Sequence, residues 1–137
     1  MHDATPQSGP DNPPPPISVE QIHAVDIRVG RVTTAEHNPK AKPPALVLTI
    51  DLGPDLGIRT SSARITEAYS PGSLVGRFIL VVVNLPTRRV ANIDSECLVL
   101  GALTTIRDDQ GTEKGDGPVV RIGPYKHDRV HPGDRIA

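Results

Sequence analysis

Residues 84–101 read NLPTRRVANIDSECLVLG. They follow FILVVV (78–83) without a break and run out into an apolar segment. Two runs rich in Val, Ile and Leu read as strands. Between them stand Pro86, Arg88, Arg89 and a line of small polar residues. The interruption is either an ordinary solvated hairpin or a polar platform that two strands hold up for a ligand.

Working outward, FILVVV is apolar at every residue and reads as a strand covered on both sides, with SECLVLGA as the fifth strand. Upstream, ALVLTIDLG alternates: Leu46, Leu48, Ile50 and Leu52 point one way, and Val47, Thr49 and Asp51 the other, the pattern of a half-buried strand. In VDIRVGRVTTAE, Val25, Ile27 and Val29 alternate, whereas Val32 and Ala35 break the phase. Gly30 sits at that break, where a bulge would let the strand bend. IRTSSA is a third strand, and residues 63–69 suit a short helix closed by Pro71-Gly72. Ser18 with Gln21 is a capping-box pattern, and Ile17, Val19 and Ile22 supply an apolar side, so a helix is expected over 18–23. Residues 107–117 (RDDQGTEKGDG) read as a charged, glycine-rich loop, after which VVRIG resumes a strand and VHPGDRI adds a further short one. The order β-β-β-α-β-β with a bent first strand matches an all-β fold, a five-stranded Greek-key barrel of the OB type with a helix plugging it. A small β-sandwich is the competing architecture.

The 137-residue length favours one domain. Residues 1–16 (MHDATPQSGPDNPPPP) lack the apolar content to offset chain entropy and are expected to be a disordered or extended tail, with one ordered domain over 17–137. Only Tyr69, Phe78 and Tyr125 are aromatic, so the core rests on Val, Ile, Leu and Ala. A small core of that kind makes a second subunit a plausible source of burial. The formal charge is −1, and the tail holds two of the 16 acids and none of the 15 bases, so residues 17–137 stand at +1. Nucleic-acid binding would therefore need a local patch. A lone Cys97 excludes an internal disulfide and a cysteine-based zinc cage and suits a reducing compartment. No h-region follows Met1-His2-Asp3, and no run is long enough to span a membrane, so a cytoplasmic protein is expected.

Catalytic and metal signatures are missing. His127 and His131 flank a turn-rich segment without the zinc-protease glutamate, and there is no phosphate-cradling glycine loop or GxSxG elbow. Ser61-Ser62 has no base nearby in sequence, and Cys97 has no adjacent base to favour the thiolate. The expectation is a non-enzyme without cofactor or metal. Arg88 and Arg89 can grip phosphates bidentately, and Asn84, Thr87, Asn92 and Ser95 can hydrogen-bond sugar or base edges. With so few aromatic rings for stacking, recognition would rest on phosphate and folded shape.

VVVNLPTRRVANIDSECLVLGA resembles the signature of the tRNA-binding domain found in CsaA secretion chaperones and appended to methionyl- and phenylalanyl-tRNA synthetases. The pattern is an apolar strand, Asn-Leu-x-Pro-Arg-Arg/Lys, small residues, then Ser-Glu and a second apolar strand. Leu85 stands one residue closer to Pro86 here than in many synthetase-linked members. VDIRVGRV and RTSSARITEAYSPGSLVGR resemble the family's first strand and its third strand with helix. The resemblance runs from about residue 22 to 102, with a weaker echo near the C-terminus. It implies an OB barrel and a homodimer joined through Ile17–His23 and Pro118–Ile136, with tRNA as ligand and unfolded or export-bound polypeptide as a further one. The longer 107–117 segment bears on those C-terminal contacts. The expected RNA-binding surface is Ser62, Asn84, Arg88, Arg89, Ser95 and Glu96. The arginines would grip phosphate, Asn84 and Ser95 would bond RNA or hold the hairpin, and Glu96 would orient an arginine. Leu74, Val90 and Ile93 are candidates for a chaperone's apolar groove. The alternative is a protein–protein interaction domain that associates with an aminoacyl-tRNA synthetase.

Overall fold

The computed structural model describes residues 13–42, 44–64, 69–124 and 127–137. A five-residue helix, α1 (Val19–His23), is the first element among the described residues. Its N-cap is a reciprocal box: the Gln21 backbone N–H donates to Ser18 Oγ at 3.1 Å, and the Ser18 N–H donates to Gln21 Oε1 at 2.8 Å. Five residues form too short a helix to persist alone, and none of them is buried.

The main sheet is antiparallel, with five strands in the order β3-β2-β1-β4-β7. The strands are β1 (Ile27–His37), β2 (Leu46–Asp51), β3 (Ile58–Ala63), β4 (Phe78–Val82) and β7 (Leu98–Val99). Strand β1 serves two neighbours. Its first half, Ile27 to Arg31, pairs with β4, and its second half, Arg31 to His37, pairs with β2. The bend between them has two causes. The register shifts between Val32 and Thr34, which places the bulge three residues beyond the glycine expected to carry it. Gly30 instead permits close approach: a Cβ there would stand 2.5 Å from Ile50 Cγ2.

Strand β2 keeps the alternation read from its sequence. Leu46, Leu48 and Ile50 are fully buried and Val47, Thr49 and Asp51 half-buried. They pack with Val32, Leu52, Ala63, Leu74, Ile79, Val81, Val83 and Cys97 into one core. Leu74 therefore belongs to the interior and is unavailable to an exposed groove. It is carried by a short helical turn, Pro71–Leu74, that begins at the proline expected to end a helix. The helix expected over 63–69 lies mostly outside the described residues, and Ala63 is the last residue of β3. In β4, Phe78 and Leu80 are only half-buried, so the strand is not covered equally on both sides.

The two ends of the sheet almost meet. Glu96, just before β7, donates its N–H to Thr60 O of β3 at 2.8 Å, and Ser61 Oγ donates to Cys97 O at 2.7 Å. These bonds leave the sheet a nearly closed barrel and cover an edge that would otherwise be exposed. Two hairpins extend from it. One is β5 (Arg88–Val90) with β6 (Ile93–Ser95); the other is β8 (Gly101–Arg107) with β9 (Glu113–Arg121). The second corrects the loop expected over 107–117. Its turn narrows to 108–112, where the Gln110 and Thr112 N–H groups donate to Asp108 Oδ1, and Arg107 pairs with Glu113 across the strands. The C-terminal segment lies along β1, with the Val29 N–H donating to Asp134 O and the Ile136 N–H to Ile27 O, each at 2.8 Å.

Between α1 and this segment lies an apolar cleft of about 470 Å³, lined by Ile22, Val25, Ile27 and Ile136 with His23 and Arg135. Beneath it, Asp26 accepts from Arg28 Nε and Nη2, and Arg28 Nη1 donates to Gly133 O. The hydrogen bond from Arg28 holds the Asp26 carboxyl below its ordinary range.

Candidate nucleic-acid interface

The β5–β6 hairpin turns on Ala91 and Asn92, at φ 47° and 68°. Both lie in the left-handed region, as a two-residue type I′ turn requires. Asn tolerates that region, whereas Ala is strained by about 1–2 kcal/mol. Ala91→Gly should relieve this strain, but it also adds about 0.4–1 kcal/mol of chain entropy to the unfolded state. A net gain of about 0.5 kcal/mol is expected, read as a higher urea midpoint; a lower midpoint would contradict a strained turn.

Strand alternation separates the two arginines. Arg88 stands opposite Ser95 and Arg89 opposite Asp94, so their side chains project to opposite faces of the hairpin. Arg89 is engaged with Asp94 at 2.9 Å, both about two-thirds exposed; such a surface pair contributes about 0–1 kcal/mol. The Arg88 side chain is exposed and has no hydrogen bond or ion pair among the described residues.

The other four expected residues act on the protein itself. Asn84 accepts the Asp26 N–H at its Oδ1 (2.9 Å) and donates from Nδ2 to Ala24 O (2.7 Å), which clamps the end of α1 to the exit of β4. Ser95 is 2% exposed, and its Oγ accepts the Ser62 N–H at 3.1 Å. Glu96 Oε1 accepts the Thr60 N–H at 3.0 Å, so the carboxylate orients the β3 backbone and not an arginine. Ser62 is half-buried at the hairpin's inner side. Ser62, Ser95 and Glu96 thus form a latch between hairpin and barrel, while Arg88, on the same face as Ser95, stays exposed at the hairpin's open end.

The same latch packs Cys97, which is 4% exposed. Burial pushes its thiol up to about 11, the Glu96 charge adding to the effect and Arg59 and Ser61 opposing it. The native protein should resist iodoacetamide near about pH 8 and react once unfolded. Rapid native alkylation would contradict the packing.

The hairpin's inner face borders a cleft of about 220 Å³, lined by Lys40, Ala41, Lys42, Ala45, Ser62, Arg64, Val90 and Ala91. Arg88 stands two residues from Val90 on the same face of β5. Asn38, 8% exposed, donates from Nδ2 to Ala91 O at 3.2 Å and accepts the Lys40 N–H at its Oδ1 at 3.1 Å. One side chain thus ties the lysine-bearing β1–β2 connection to the hairpin tip. Lys40, Lys42, Arg64 and Arg88 are all exposed, and none has a carboxylate partner among the described residues. Lys40, Lys42, Arg64 and Asn38 were missed from sequence. The signal was the basic run NPKAKPP, which reads as a mere linker until the fold brings it to the hairpin.

A nearly closed antiparallel barrel with an unneutralised basic cleft beside a projecting hairpin defines a compact β module suited to attracting anions. The chain belongs to the family described as "Putative tRNA binding domain", whose model matches residues 27–120. The methionine–tRNA ligase of Archaeoglobus fulgidus is 34% identical over 120 residues, 88% of this chain but 16% of the ligase. The chain thus corresponds to a small part of that enzyme. The chaperone CsaA of Bacillus anthracis is 36% identical, with a TM-score of 0.71 over 90% of this chain and all of that one. The CsaA chaperone of Picrophilus torridus, also 36% identical, superposes with a TM-score of 0.74 over 89% of this chain and all of its own.

Proposed function

We propose that this chain is an OB-type, homodimeric tRNA-binding module of the cytoplasm, without catalysis of its own, that grips structured RNA by its phosphates. The observation that carries the reading is the cleft lined by Lys40, Lys42 and Arg64, with Arg88 on the adjoining face of β5 and no ion pair to any of the four among the described residues. With almost no aromatic surface to stack bases, phosphate and shape are what such a site can read. Of the expected residues, Arg88 is the direct phosphate ligand. Arg89 joins it by exchanging Asp94 for phosphate, at little cost for so exposed a pair. Ser62, Ser95 and Glu96 serve by holding the hairpin in place, and Asn84 by clamping the end of α1 to the exit of β4.

The dimer reading rests on α1 and the residues leading into it, where Ile17, Val19 and Ile22 are 61%, 63% and 45% exposed beside the apolar cleft that Ile136 completes. A second copy covering this face would stabilise a helix too short to stand alone and bring two basic clefts to one RNA. Binding of export-bound polypeptide is the second reading, favoured by the same exposed apolar residues. Association with a synthetase is the third, favoured by the match to one part of a ligase.

The test is titration of the full chain with bulk tRNA at several salt concentrations, alongside sedimentation. The reading expects a dimer whose affinity for tRNA falls steeply as salt rises. A protein that binds no tRNA but suppresses aggregation of an unfolded substrate without ATP would replace it with the second reading.

A further inference from the structure

Away from the hairpin lies another cleft, of about 230 Å³, lined by Gly76, Arg77, Phe78, Arg121 and Pro124. We propose that it is a second phosphate-binding site, built around Arg77 and Arg121, that takes a backbone phosphate of the same RNA. The inference rests on the tRNA-binding reading above and adds to it a separate point of contact.

Arg121 is set in place before any ligand arrives. Its Nη1 donates to Phe78 O at 3.0 Å, and its backbone N–H donates to Tyr69 Oη at 3.2 Å. Room for the guanidinium depends on Gly123, where a Cβ would lie 2.9 Å from Nη1. An arginine held by a neutral carbonyl keeps its full charge, and most of its five N–H donors stay available. Arg77 is exposed, and its Nε meets only Ser73 O, at 3.4 Å. A third guanidinium borders the site: Arg31 Nη2 stands 4.0 Å from where a Cβ on Gly76 would be.

None of the three arginines forms an ion pair with a described carboxylate. Asp51, paired across the strands from Arg31, uses Oδ1 to accept the Gly53 N–H. The two like charges that line the cleft, Arg77 and Arg121, repel each other unless an anion joins them. The volume lies below the roughly 300 Å³ at which small-molecule pockets begin, which suits a phosphoryl group better than a whole nucleotide.

The two basic clefts are fixed to different parts of β1. The Gly76 N–H donates to Val32 O, whereas Asn38 holds the hairpin tip. Six positions of chain separate those anchors, at most roughly 20 Å at 3.3 Å per residue, and less because of the bulge between Val32 and Thr34. A single phosphate cannot touch both; an extended polyanion can, and two modest sites on one ligand reinforce each other.

The test uses the full chain, bulk tRNA and inorganic phosphate, with thermal midpoints measured for each variant. Arg77→Gln should weaken tRNA binding several-fold and lower the log–log salt slope by about 0.9, the value of one phosphate contact on a duplex. Arg121→Gln should do the same, and Arg121→Lys should keep the slope. If Arg121→Gln loses its fold, Arg77→Gln decides alone. An unchanged slope and affinity in Arg77→Gln, while variants in the hairpin-side cleft still weaken binding, would overturn the second site and leave the tRNA reading standing. Inorganic phosphate binding that Arg77→Gln abolishes without altering tRNA binding would mark a free-anion site and overturn the RNA assignment. Failure of the wild-type protein to bind tRNA would overturn both.

Discussion

Changing Lys40, Arg64 and Arg88 together to Ala is expected to weaken tRNA binding by roughly two to three orders of magnitude at about 0.1 M salt. It should also flatten the log–log salt slope by about 2 to 3, since each lost phosphate contact removes about 0.9. The fold should survive. All three side chains are exposed and without a carboxylate partner among the described residues, and surface changes of that kind usually stay within about 0.5 kcal/mol each. Loss of affinity with the thermal midpoint intact would separate lost contacts from lost structure. Arg89→Ala alone should have a smaller effect, because Asp94 already offsets that charge at 2.9 Å. Equal effects from Arg88→Ala and Arg89→Ala would mean that the two faces of the hairpin are used alike, against the division seen here.

Gly133→Ala is expected to be the most damaging single substitution to the proposed dimer. Gly133 and Gly53 cross back to back at φ 93° and 84°. A Cβ on Gly133 would stand 2.5 Å from Leu52 O, and one on Gly53 would stand 2.5 Å from Pro132 O. These obstacles are backbone atoms and cannot rotate aside. The C-terminal segment must then leave β1, giving up the bonds of Gly133 and Asp134 to Val29 and of Ile136 to Ile27. A loss of at least about 3 kcal/mol is expected, together with a shift from dimer to monomer as Arg135 and Ile136 leave the cleft wall. Gly57 provides the control, with φ 74° and nothing within 4 Å of an added Cβ. With ψ at −156° it lies in a backbone region open essentially only to glycine, so Gly57→Ala carries that backbone cost alone, about 1–3 kcal/mol. Equal losses in the two variants would contradict the close crossing.

Much of this architecture is legible in the sequence because it is local. The Ser18-Gln21 box states where α1 begins, and the four alternating apolar residues of β2 state which face is buried. The motif from Asn84 to Gly101 places the chain in its family. What stays hidden depends on which neighbour a polar group meets. Ser95 and Glu96 have the residue types of an RNA-facing surface, yet their partners are the backbone N–H groups of Ser62 and Thr60, some 33 and 36 positions away. The split of Arg88 from Arg89 follows from the two-residue period of a strand, but two adjacent arginines invite reading as a pair. The run 107–117 has the composition of a loop; cross-strand pairing and the ion pairs Arg107–Glu113 and Lys114–Asp108 give it the structure of a hairpin. The basic cleft draws on three separate segments, and only the fold brings them together.

The central claim, that RNA is gripped where the β1–β2 connection, the end of β3 and the hairpin meet, is tested most directly by mapping backbone amide shifts as bulk tRNA is added to the full chain. The account predicts that the largest changes fall on Lys40–Lys42, Ser62–Arg64 and Arg88–Ala91, with a second group at Gly76–Phe78 and Arg121. Changes confined to α1 and the C-terminal segment, with the cleft silent, would contradict it.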